Sequence, residues 1–340
     1  MTQPTPLKTT IPPALAAYLQ QLNTVIVPFL LAQGVTPNAI NVREALANLT
    51  NTFVTTAPTM AKILDTTLVT PKNFRGYRVP LRMFIPENTV LPNKNAPTAV
   101  PMLVFFHGGG GMAGSVTVYD KIYKKLAAST GMVVIAPEYR LAPENSYPCG
   151  IEDAHSVLQF LTPTLQALGY HNNGTLMIGG DSGGGAITAT LVQDWLANKV
   201  STDLIITHQL LIYAGLDYTL SQPSIQENAK GYLLESSKIA WYYDNYFHAY
   251  DDRELASPFW TDLVTLAHHT PYPLPRTLNI SAGYCPLRDE DIGYHEQLLK
   301  AGFDSQLQHF PDMVHAFMNL ENLCPTQCQN LYQIIKDFSQ

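Results

Sequence analysis

The sequence predicts an α/β fold with a mostly parallel central sheet that is covered by helices on both faces. Short apolar runs, typical of buried strands, alternate along the chain with longer amphipathic stretches, typical of helices. Such alternation implies parallel strands that are joined by right-handed crossovers. In addition, 46% of the 340 residues are hydrophobic and 14% are charged, which suits a globular chain with a large core.

The predicted elements follow in order along the chain. Strands are predicted at 77–85, 102–106, 132–136, 175–178, 204–213 and 277–281, with a short one at 306–309. Helices are predicted near 119–129, 151–168, 186–198 and 289–300, and a last helix near 316–337. Most predicted helices therefore connect two strands, as crossover helices do.

Two segments depart from this pattern. Residues 1–60 are predicted to form helices that stand apart from the rest of the chain. Residues 223–272 are rich in tyrosine and tryptophan, show no clear strand, and are interpreted as an insertion above the sheet. The predicted division is therefore an N-terminal helical segment at 1–60 and a main domain at 61–340, with the insertion at about 223–272.

Composition and charge argue against several classes of function. The chain has 20 basic and 27 acidic residues and a net charge of −7, without a basic stripe, so we expect no nucleic-acid partner. It has no apolar run of eighteen residues and no evident signal peptide, so we expect no transmembrane segment and a cytoplasmic location. Its four cysteines are too few for a disulfide scaffold, and no cysteine and histidine set has zinc spacing. Cys324 and Cys328 either pair locally or remain free thiols.

Residues 180–184, with the sequence GDSGG, place Ser182 among glycines that leave its hydroxyl uncovered. The letters alone also suit a trypsin-like serine protease, but that class requires an all-β chain. A helix start that binds phosphate is a second alternative, but the lysine of the phosphate-loop motif is missing. The predicted strand before Ser182 and the predicted helix after it form the context of a nucleophile elbow. Ser182 is therefore the predicted nucleophile.

A second glycine run has the sequence HGGGG at 107–111 and directly follows a predicted strand. Acyl transfer creates an oxyanion, and backbone N–H groups approach that oxygen closely only where no side chain intervenes. A flexible loop or a dinucleotide-binding turn is the alternative, although the match to the dinucleotide pattern is weak. The predicted oxyanion donors are the N–H groups of Gly109, Gly110 and Gly183.

His315 is the predicted general base among ten histidines. It follows a short predicted strand late in the chain, which fits the order serine, acid, histidine. His295 lies in a predicted helix, and His268 and His269 lie in a proline-rich loop. Position and chain order therefore favour His315.

In these motifs the chain resembles the hormone-sensitive-lipase-like family of α/β-hydrolases, which includes many microbial carboxylesterases. The matching pieces are HGGG at 107–110, EYRLAPE at 138–144, GDSGG at 180–184, PLRDE at 286–290 and HAF at 315–317. They keep the family's order from about residue 60 to the end. The resemblance implies an α/β-hydrolase fold with a helical cap formed by 1–60 and 223–272, and no cofactor. Within the matching pieces, Arg140, Glu144 and Asp181 are interpreted as structural supports.

The chain departs from the family at the triad acid, since Cys285 stands where the family has aspartate. The acid normally orients the imidazole and stabilises the imidazolium, and its loss costs roughly 10⁴ in kcat in a serine protease. Three interpretations stay open: Cys285 acts as a thiolate or weak acceptor, Asp289 or Asp217 reaches His315 instead, or the protein is catalytically impaired. A second departure is Gly183, where the family commonly has alanine; this change keeps the N–H donor and is expected to be mild.

The expected function is hydrolysis of small-molecule carboxylic esters with short to medium apolar acyl chains through an acyl-enzyme. The aromatic insertion suggests the apolar acyl part. The alternative from another class is a catalytically impaired, small-molecule binding protein on a hydrolase scaffold, because the acid position is Cys285. A homodimer is a further expectation.

Overall fold

The computed structural model describes residues 11–93 and 96–340, and within them eight strands form one sheet. The strands are β1 Lys62–Thr67, β2 Pro80–Ile85, β3 Thr98–Phe106, β4 Val133–Pro137, β5 Tyr170–Asp181, β6 His208–Ile212, β7 Arg276–Tyr284 and β8 Ser305–Val314. Their order across the sheet is β1-β2-β4-β3-β5-β6-β7-β8. Only the β1/β2 and β2/β4 pairs are antiparallel, and the remaining pairs are parallel. The predicted mostly parallel sheet is confirmed.

Helices cover both faces of the sheet. They are α1 Pro13–Gln21, α2 Val27–Ala32, α3 Ala39–Phe53, α4 Asp120–Thr130, α5 Cys149–Ala167, α6 Gly183–Leu196, α7 Ser224–Glu227, α8 Ser236–Tyr246, α9 Arg253–Ala256, α10 Leu263–His269, α11 Arg288–Lys300 and α12 Pro325–Phe338. Successive residues of a strand point to opposite faces, and β3 shows this in the core. Leu103 and Phe105 pack in the cluster that contains α4 and α12, whereas Val104 and Phe106 pack in the cluster that contains α5, α6 and α11.

The carboxyl ends of the parallel strands meet at one edge of the sheet, where open α/β sheets place their ligands. The residues that directly follow β3, β5, β6, β7 and β8 are His107, Ser182, Tyr213, Cys285 and His315. The fold therefore collects the predicted nucleophile, base and acid position at a single edge.

Three sequence predictions about the elements were incomplete or wrong. The edge strand β1 was missed, because its largely polar and exposed residues lack the apolar signal of a buried strand. The strand predicted at 204–213 begins only at His208. The last helix predicted near 316–337 is divided into a 3₁₀ stretch, Phe317–Leu323, and α12. Pro325 has no backbone N–H, so it starts a helix but cannot continue one.

The N-terminal segment is helical, as predicted, although its first ten residues lie outside the described residues. α1, a π-helical turn and α2 form one continuous helix from 13 to 32 that is long and apolar enough to cross a membrane by length and composition alone. The sequence analysis predicted helical structure here but no membrane span, because it required an uninterrupted apolar run of eighteen residues, and polar residues such as Gln21 and Asn23 interrupt this one. In this fold Leu15 and Leu19, at its start, are fully buried in the core.

The aromatic segment 223–272, all of which is described, contains α7 to α10 and no strand. It is linked to the N-terminal helix, since Nδ2 of Asn23 donates a hydrogen bond of 2.9 Å to the carbonyl of Gly231. The division at 60 and at 223–272 into a main domain and cap segments stays a prediction.

Candidate active site

Ser182 lies in a sharp turn between β5 and α6. Its φ of 52° and ψ of −121° are strained for a residue with a side chain, as a nucleophile elbow requires. The turn tolerates only glycine on both sides. A Cβ on Gly180 would lie 2.2 Å from the carbonyl oxygen of Gly184, and a Cβ on Gly184 would lie 2.1 Å from that of Phe106. The spacing of the sequence motif thus has a steric cause.

His315 lies beside Ser182, with 2.9 Å between its Nε2 and the Ser182 Oγ. Its side chain is almost fully buried, and the ring of Tyr213 packs against it edge to face with 5.0 Å between ring centroids. Burial, and secondly the charge of Lys238, lower the pKa of His315 to about 3. The imidazole is therefore neutral at ordinary pH and able to accept a proton from Ser182.

Cys285 occupies the other side of the imidazole, with 3.1 Å between its Sγ and the Nδ1 of His315. The backbone N–H of Leu287 also donates to this Sγ, at 3.3 Å. The thiol is fully buried, and burial, together with the nearby Asp291, raises its pKa well above the usual range. Of the interpretations left open by the sequence, a neutral sulfur that accepts weakly fits this burial better than a thiolate does.

Neither alternative carboxylate, Asp217 or Asp289, forms a hydrogen bond with His315 in this structure. Asp217 accepts hydrogen bonds from Thr219 and Ser221 and from the indole N–H of Trp260, at 2.5 to 3.0 Å. These bonds hold its carboxylate in its own loop.

Asp289 is turned away from the imidazole in a similar manner. Its carboxylate accepts from the guanidinium of Arg288 at 2.7 Å and from the backbone N–H of Ser224 at 2.9 Å. Among the residues that the structure describes, the side chain of His315 has hydrogen-bond contacts with Cys285 and Ser182.

The glycine loop after β3 lies against the elbow. In residues 11–93 and 96–340, the backbone N–H groups of Gly109, Gly110 and Gly183 donate no hydrogen bond, so they are available to an oxyanion. The contact is close: a Cβ on Gly183 would lie 2.8 Å from the backbone N of Gly110. Loop and elbow together form a site that matches the predicted oxyanion hole in arrangement.

Asp181 holds this loop in place from beneath the elbow. One carboxylate oxygen accepts from the N–H of Gly108 at 2.7 Å, and the other accepts from the hydroxyl of Tyr119 at 3.0 Å. Burial raises the pKa of Asp181 to about 7, against the effect of both bonds. Its contacts fit the interpretation as an elbow support.

Arg140 and Glu144 have structural contacts as well. The Arg140 guanidinium binds the buried carboxylate of Asp153 at 2.8 Å. Glu144 forms an ion pair of 2.6 Å with Arg43 of α3, and Arg43 also donates to the carbonyl of Met112 in the glycine loop at 2.9 Å. The N-terminal helices are thereby fastened to the loops around the site.

Sequence reasoning missed three residues at the site: Tyr213, Tyr242 and Lys238. Tyr213 packs on His315, and Tyr242 lies over the glycine loop, where a Cβ on Gly110 would come 3.1 Å from its ring. The richness of 223–272 in aromatic residues signalled that such rings exist but not which ring faces the site. No sequence signal pointed to Lys238, whose charge acts on His315 from a distant part of the chain.

Comparison with known proteins identifies the family. The sequence profile of a family with the alpha/beta hydrolase fold matches residues 103–319 of this chain, which is more than half of it. The chain belongs to this family of hormone-sensitive-lipase-like α/β-hydrolases.

Several relatives of this α/β-hydrolase are named as ester-cleaving enzymes. Carboxylesterase NlhH of Mycobacterium tuberculosis is 32% identical over 237 residues, covering 68% of this chain and 70% of the relative. Ethyl acetate hydrolase of Pseudomonas putida is 29% identical over 265 residues, covering 78% of this chain and 79% of the relative. Among solved structures, the hyperthermophilic esterase from the archaeon Pyrobaculum calidifontis aligns with a TM-score of 0.78 at 26% identity, covering 97% of this chain and 99% of that one. The chain is an esterase-like hydrolase, as its motifs predict.

Proposed function

We propose that this α/β-hydrolase cleaves carboxylic esters through an acyl-enzyme on Ser182. The observation that carries the proposal is the distance of 2.9 Å between the Ser182 Oγ and the His315 Nε2, beside a loop in which the N–H groups of Gly109 and Gly110 have no acceptor among the described residues. Nucleophile, base and oxyanion donors are the three parts that acyl transfer requires.

The reaction has two halves. The Ser182 Oγ attacks the ester carbonyl carbon while the His315 Nε2 takes its proton, and the N–H groups of Gly109, Gly110 and Gly183 bind the resulting oxyanion. The C–O bond then breaks, and His315 returns the proton to the leaving alcohol. Water attacks the acyl-enzyme in the same way, with His315 as base, and releases the carboxylic acid and the free serine.

Cys285 is a positioning residue in this proposal. If Nδ1–H of His315 donates to the sulfur, Nε2 is left unprotonated and able to accept from Ser182. A neutral thiol holds this tautomer, but it does not compensate the positive charge of the imidazolium as a carboxylate does. We therefore expect turnover that is slower than a carboxylate at this position would give.

The preference for short to medium acyl chains rests on the aromatic cover of the site. A Cβ on Gly110 would lie 3.1 Å from the ring of Tyr242, and one on Gly111 would lie 2.7 Å from the ring of Tyr246. Rings this close to the glycine loop narrow the space above it and make it apolar, which favours small apolar groups.

The proposal is tested by turnover of 4-nitrophenyl butyrate. We expect the Ser182→Ala variant to lose activity on the order of 10⁴-fold or more, because it lacks the nucleophile. Ser201→Ala, at an exposed serine, serves as the matched control and keeps full activity. Equal turnover by the wild type and Ser182→Ala would overturn the proposal.

A second candidate, a ligand-binding protein on this scaffold, is favoured only by the uncharged Cys285. A fluorophosphonate probe separates the two functions, because it bonds covalently to an activated serine. We expect labelling of the wild type and none of Ser182→Ala. A folded wild type that resists the probe would favour the binding protein.

A further inference from the structure

Lys238 is a cation without an ion-pair partner beside the proposed active site. It lies in the first turn of α8, its side chain is exposed, and within the described part of the chain no carboxylate lies within 4 Å of its ammonium. Glu235, one turn earlier, acts on it only at a distance and accepts instead from the N–H of Gly231 at 3.3 Å. Arg43 and Arg288, by contrast, each form an ion pair with a carboxylate.

The helix turns this ammonium towards the glycine loop. Residues four apart on a helix share a face, so Lys238 and Tyr242 are neighbours, and 6.0 Å separates the Nζ from the ring centroid of Tyr242. The same ring contacts the position of Gly110, where a Cβ would lie 3.1 Å from it. One aromatic ring therefore separates the ammonium from the predicted oxyanion donors.

Lys238 is exposed to water and also loses part of its solvation to the surrounding protein. Its side chain is accessible to solvent, and loss of solvation is the main cause that lowers its pKa. Its charge also lowers the pKa of the buried His315, so the ammonium acts electrostatically on the proposed base.

We propose that Lys238 binds a carboxylate of the substrate, so that this enzyme favours esters that carry a negative charge, such as half-esters of dicarboxylic acids. The inference rests on the proposed ester hydrolysis and names its substrate class. A partly desolvated cation without a partner is unfavourable, and an anion placed beside it offsets that cost. The ammonium also attracts an anionic ester towards the proposed active site. The carboxylate belongs either to the acyl part or to the alcohol part, and the experiment distinguishes the two.

The experiment compares charged and neutral esters of similar size. For the acyl part, the pair is mono-4-nitrophenyl glutarate and 4-nitrophenyl pentanoate. For the alcohol part, the pair is 4-acetoxybenzoate and 4-acetoxybenzamide. Each is measured as kcat/KM with the wild type, Lys238→Met, Lys238→Glu and Lys230→Met. Lys230 is the matched control, since it is an exposed lysine in the same segment, whereas the charge that lowers the pKa of His315 is that of Lys238.

We expect Lys238→Met to lower kcat/KM for the anionic ester of one pair about five- to tenfold, chiefly through KM, while the neutral ester changes less than about twofold. Lys238→Glu lowers it further, and Lys230→Met has no such effect. The pair that responds tells which part of the ester carries the carboxylate. An equal loss on charged and neutral esters, or no response in either pair, overturns the inference.

A binding measurement separates failure of this inference from failure of ester hydrolysis. Glutarate monoanilide is an amide that resists turnover, and calorimetry gives its affinity for the wild type and for Lys238→Met. If no ester is hydrolysed but this affinity falls in Lys238→Met, the anion site stands and the proposed reaction fails. If neutral esters are hydrolysed but affinity is unchanged, the anion site fails alone.

Discussion

The two nitrogens of His315 meet two different environments. On the Nε2 side, Ser182 is held at 2.9 Å by a strained backbone turn whose neighbouring glycines admit no side chain. On the Nδ1 side, Cys285 lies at 3.1 Å, but a neutral thiol has replaced the charge that a carboxylate supplies. The serine side thus keeps a complete geometry, whereas the cysteine side keeps the geometry without the charge.

This difference shows that the position of the group beside the imidazole and the charge of that group can vary separately. The sulfur lies 3.1 Å from Nδ1, where an acceptor that orients the imidazole would lie, and burial lowers the pKa of the ring to about 3. A neutral imidazole can act as a base. The imidazolium that forms when it takes a proton is unfavourable, however, if no negative charge lies beside it. We therefore expect ester turnover to depend on the backbone shape around Ser182 and on the charge of the side chain at position 285.

The largest effect is expected from shape, in Gly184→Ala. The new Cβ would lie 2.1 Å from the carbonyl oxygen of Phe106 and 2.5 Å from that of His107, so the backbone itself would have to shift. We expect loss of the folded state, or a loss of ester turnover on the order of 10³-fold, because a displaced nucleophile is no longer aligned.

Gly150→Ala is the control for this variant. It lies in α5, and the nearest atoms to its new Cβ are 3.6 Å away, which is ordinary contact. Alanine favours helices over glycine by about 1 kcal/mol, so this variant should be as stable as the wild type or more so. Thermal unfolding and 4-nitrophenyl butyrate turnover measure both variants. A fully active Gly184→Ala would show that the elbow is not fixed by its glycines.

The next effect is expected from charge, in Cys285→Asp. A carboxylate at this position stabilises the imidazolium, so we expect kcat to rise about 10- to 100-fold, part of the roughly 10⁴ that such a charge contributes elsewhere. The sign of the accompanying pH effect follows from the same charge. Because a carboxylate favours protonated His315, its pKa rises from about 3, and the acidic limb of kcat/KM moves to higher pH.

Cys285→Ser is the control, since it is similar in size and also neutral, and it should produce neither change. The measurement is a pH–rate profile from about pH 4 to pH 8 for the three proteins. If Cys285→Asp lowers kcat while its fold is intact, the sulfur itself contributes something that a carboxylate does not.

The sequence was sufficient for whatever depends on local sterics and chain order. Ser182 was found because glycines at 180 and 184 are required by the turn itself, and His315 because it follows the last strand. Cys285 was assigned to the acid position because the segment PLRDE at 286–290, directly after it, matches the family motif. The edge strand β1 was not found, since a polar exposed strand has no apolar pattern, and the break before Pro325 was missed within a helical periodicity.

The electrostatic state of the site was not predictable in this way. Whether Cys285 is a thiol or a thiolate depends on its burial and on Asp291, and these are known only after folding. The same holds for Asp217 and Asp289, whose chain positions suited an acid but whose carboxylates bind other partners. Lys238 approaches the site from a segment far away in sequence, and a single lysine in a helix carries no signal of such an approach.

The smallest effect is expected for Gly183→Ala, which adds a side chain to the elbow and changes the alignment of the oxyanion donors. The family commonly has alanine here, and the sequence comparison suggested that the glycine makes little difference. In this fold, however, a Cβ at 183 would lie 2.8 Å from the backbone N and 2.9 Å from the Cα of Gly110, so the glycine loop would have to shift. The N–H of residue 183 is retained, so only the alignment of the donors on the loop changes. Loss of one complete oxyanion donor costs about 10² to 10³ in kcat, and a small displacement should cost about tenfold or less, with KM nearly unchanged. Steady-state kinetics on 4-nitrophenyl butyrate check this.

Repeating Gly183→Ala in the Cys285→Asp background tests whether the two sides of His315 act independently, since independent sides give effects on kcat that multiply. A Gly183→Ala variant with higher kcat than the wild type would mean that the loop as it stands is too close to the elbow for best oxyanion binding.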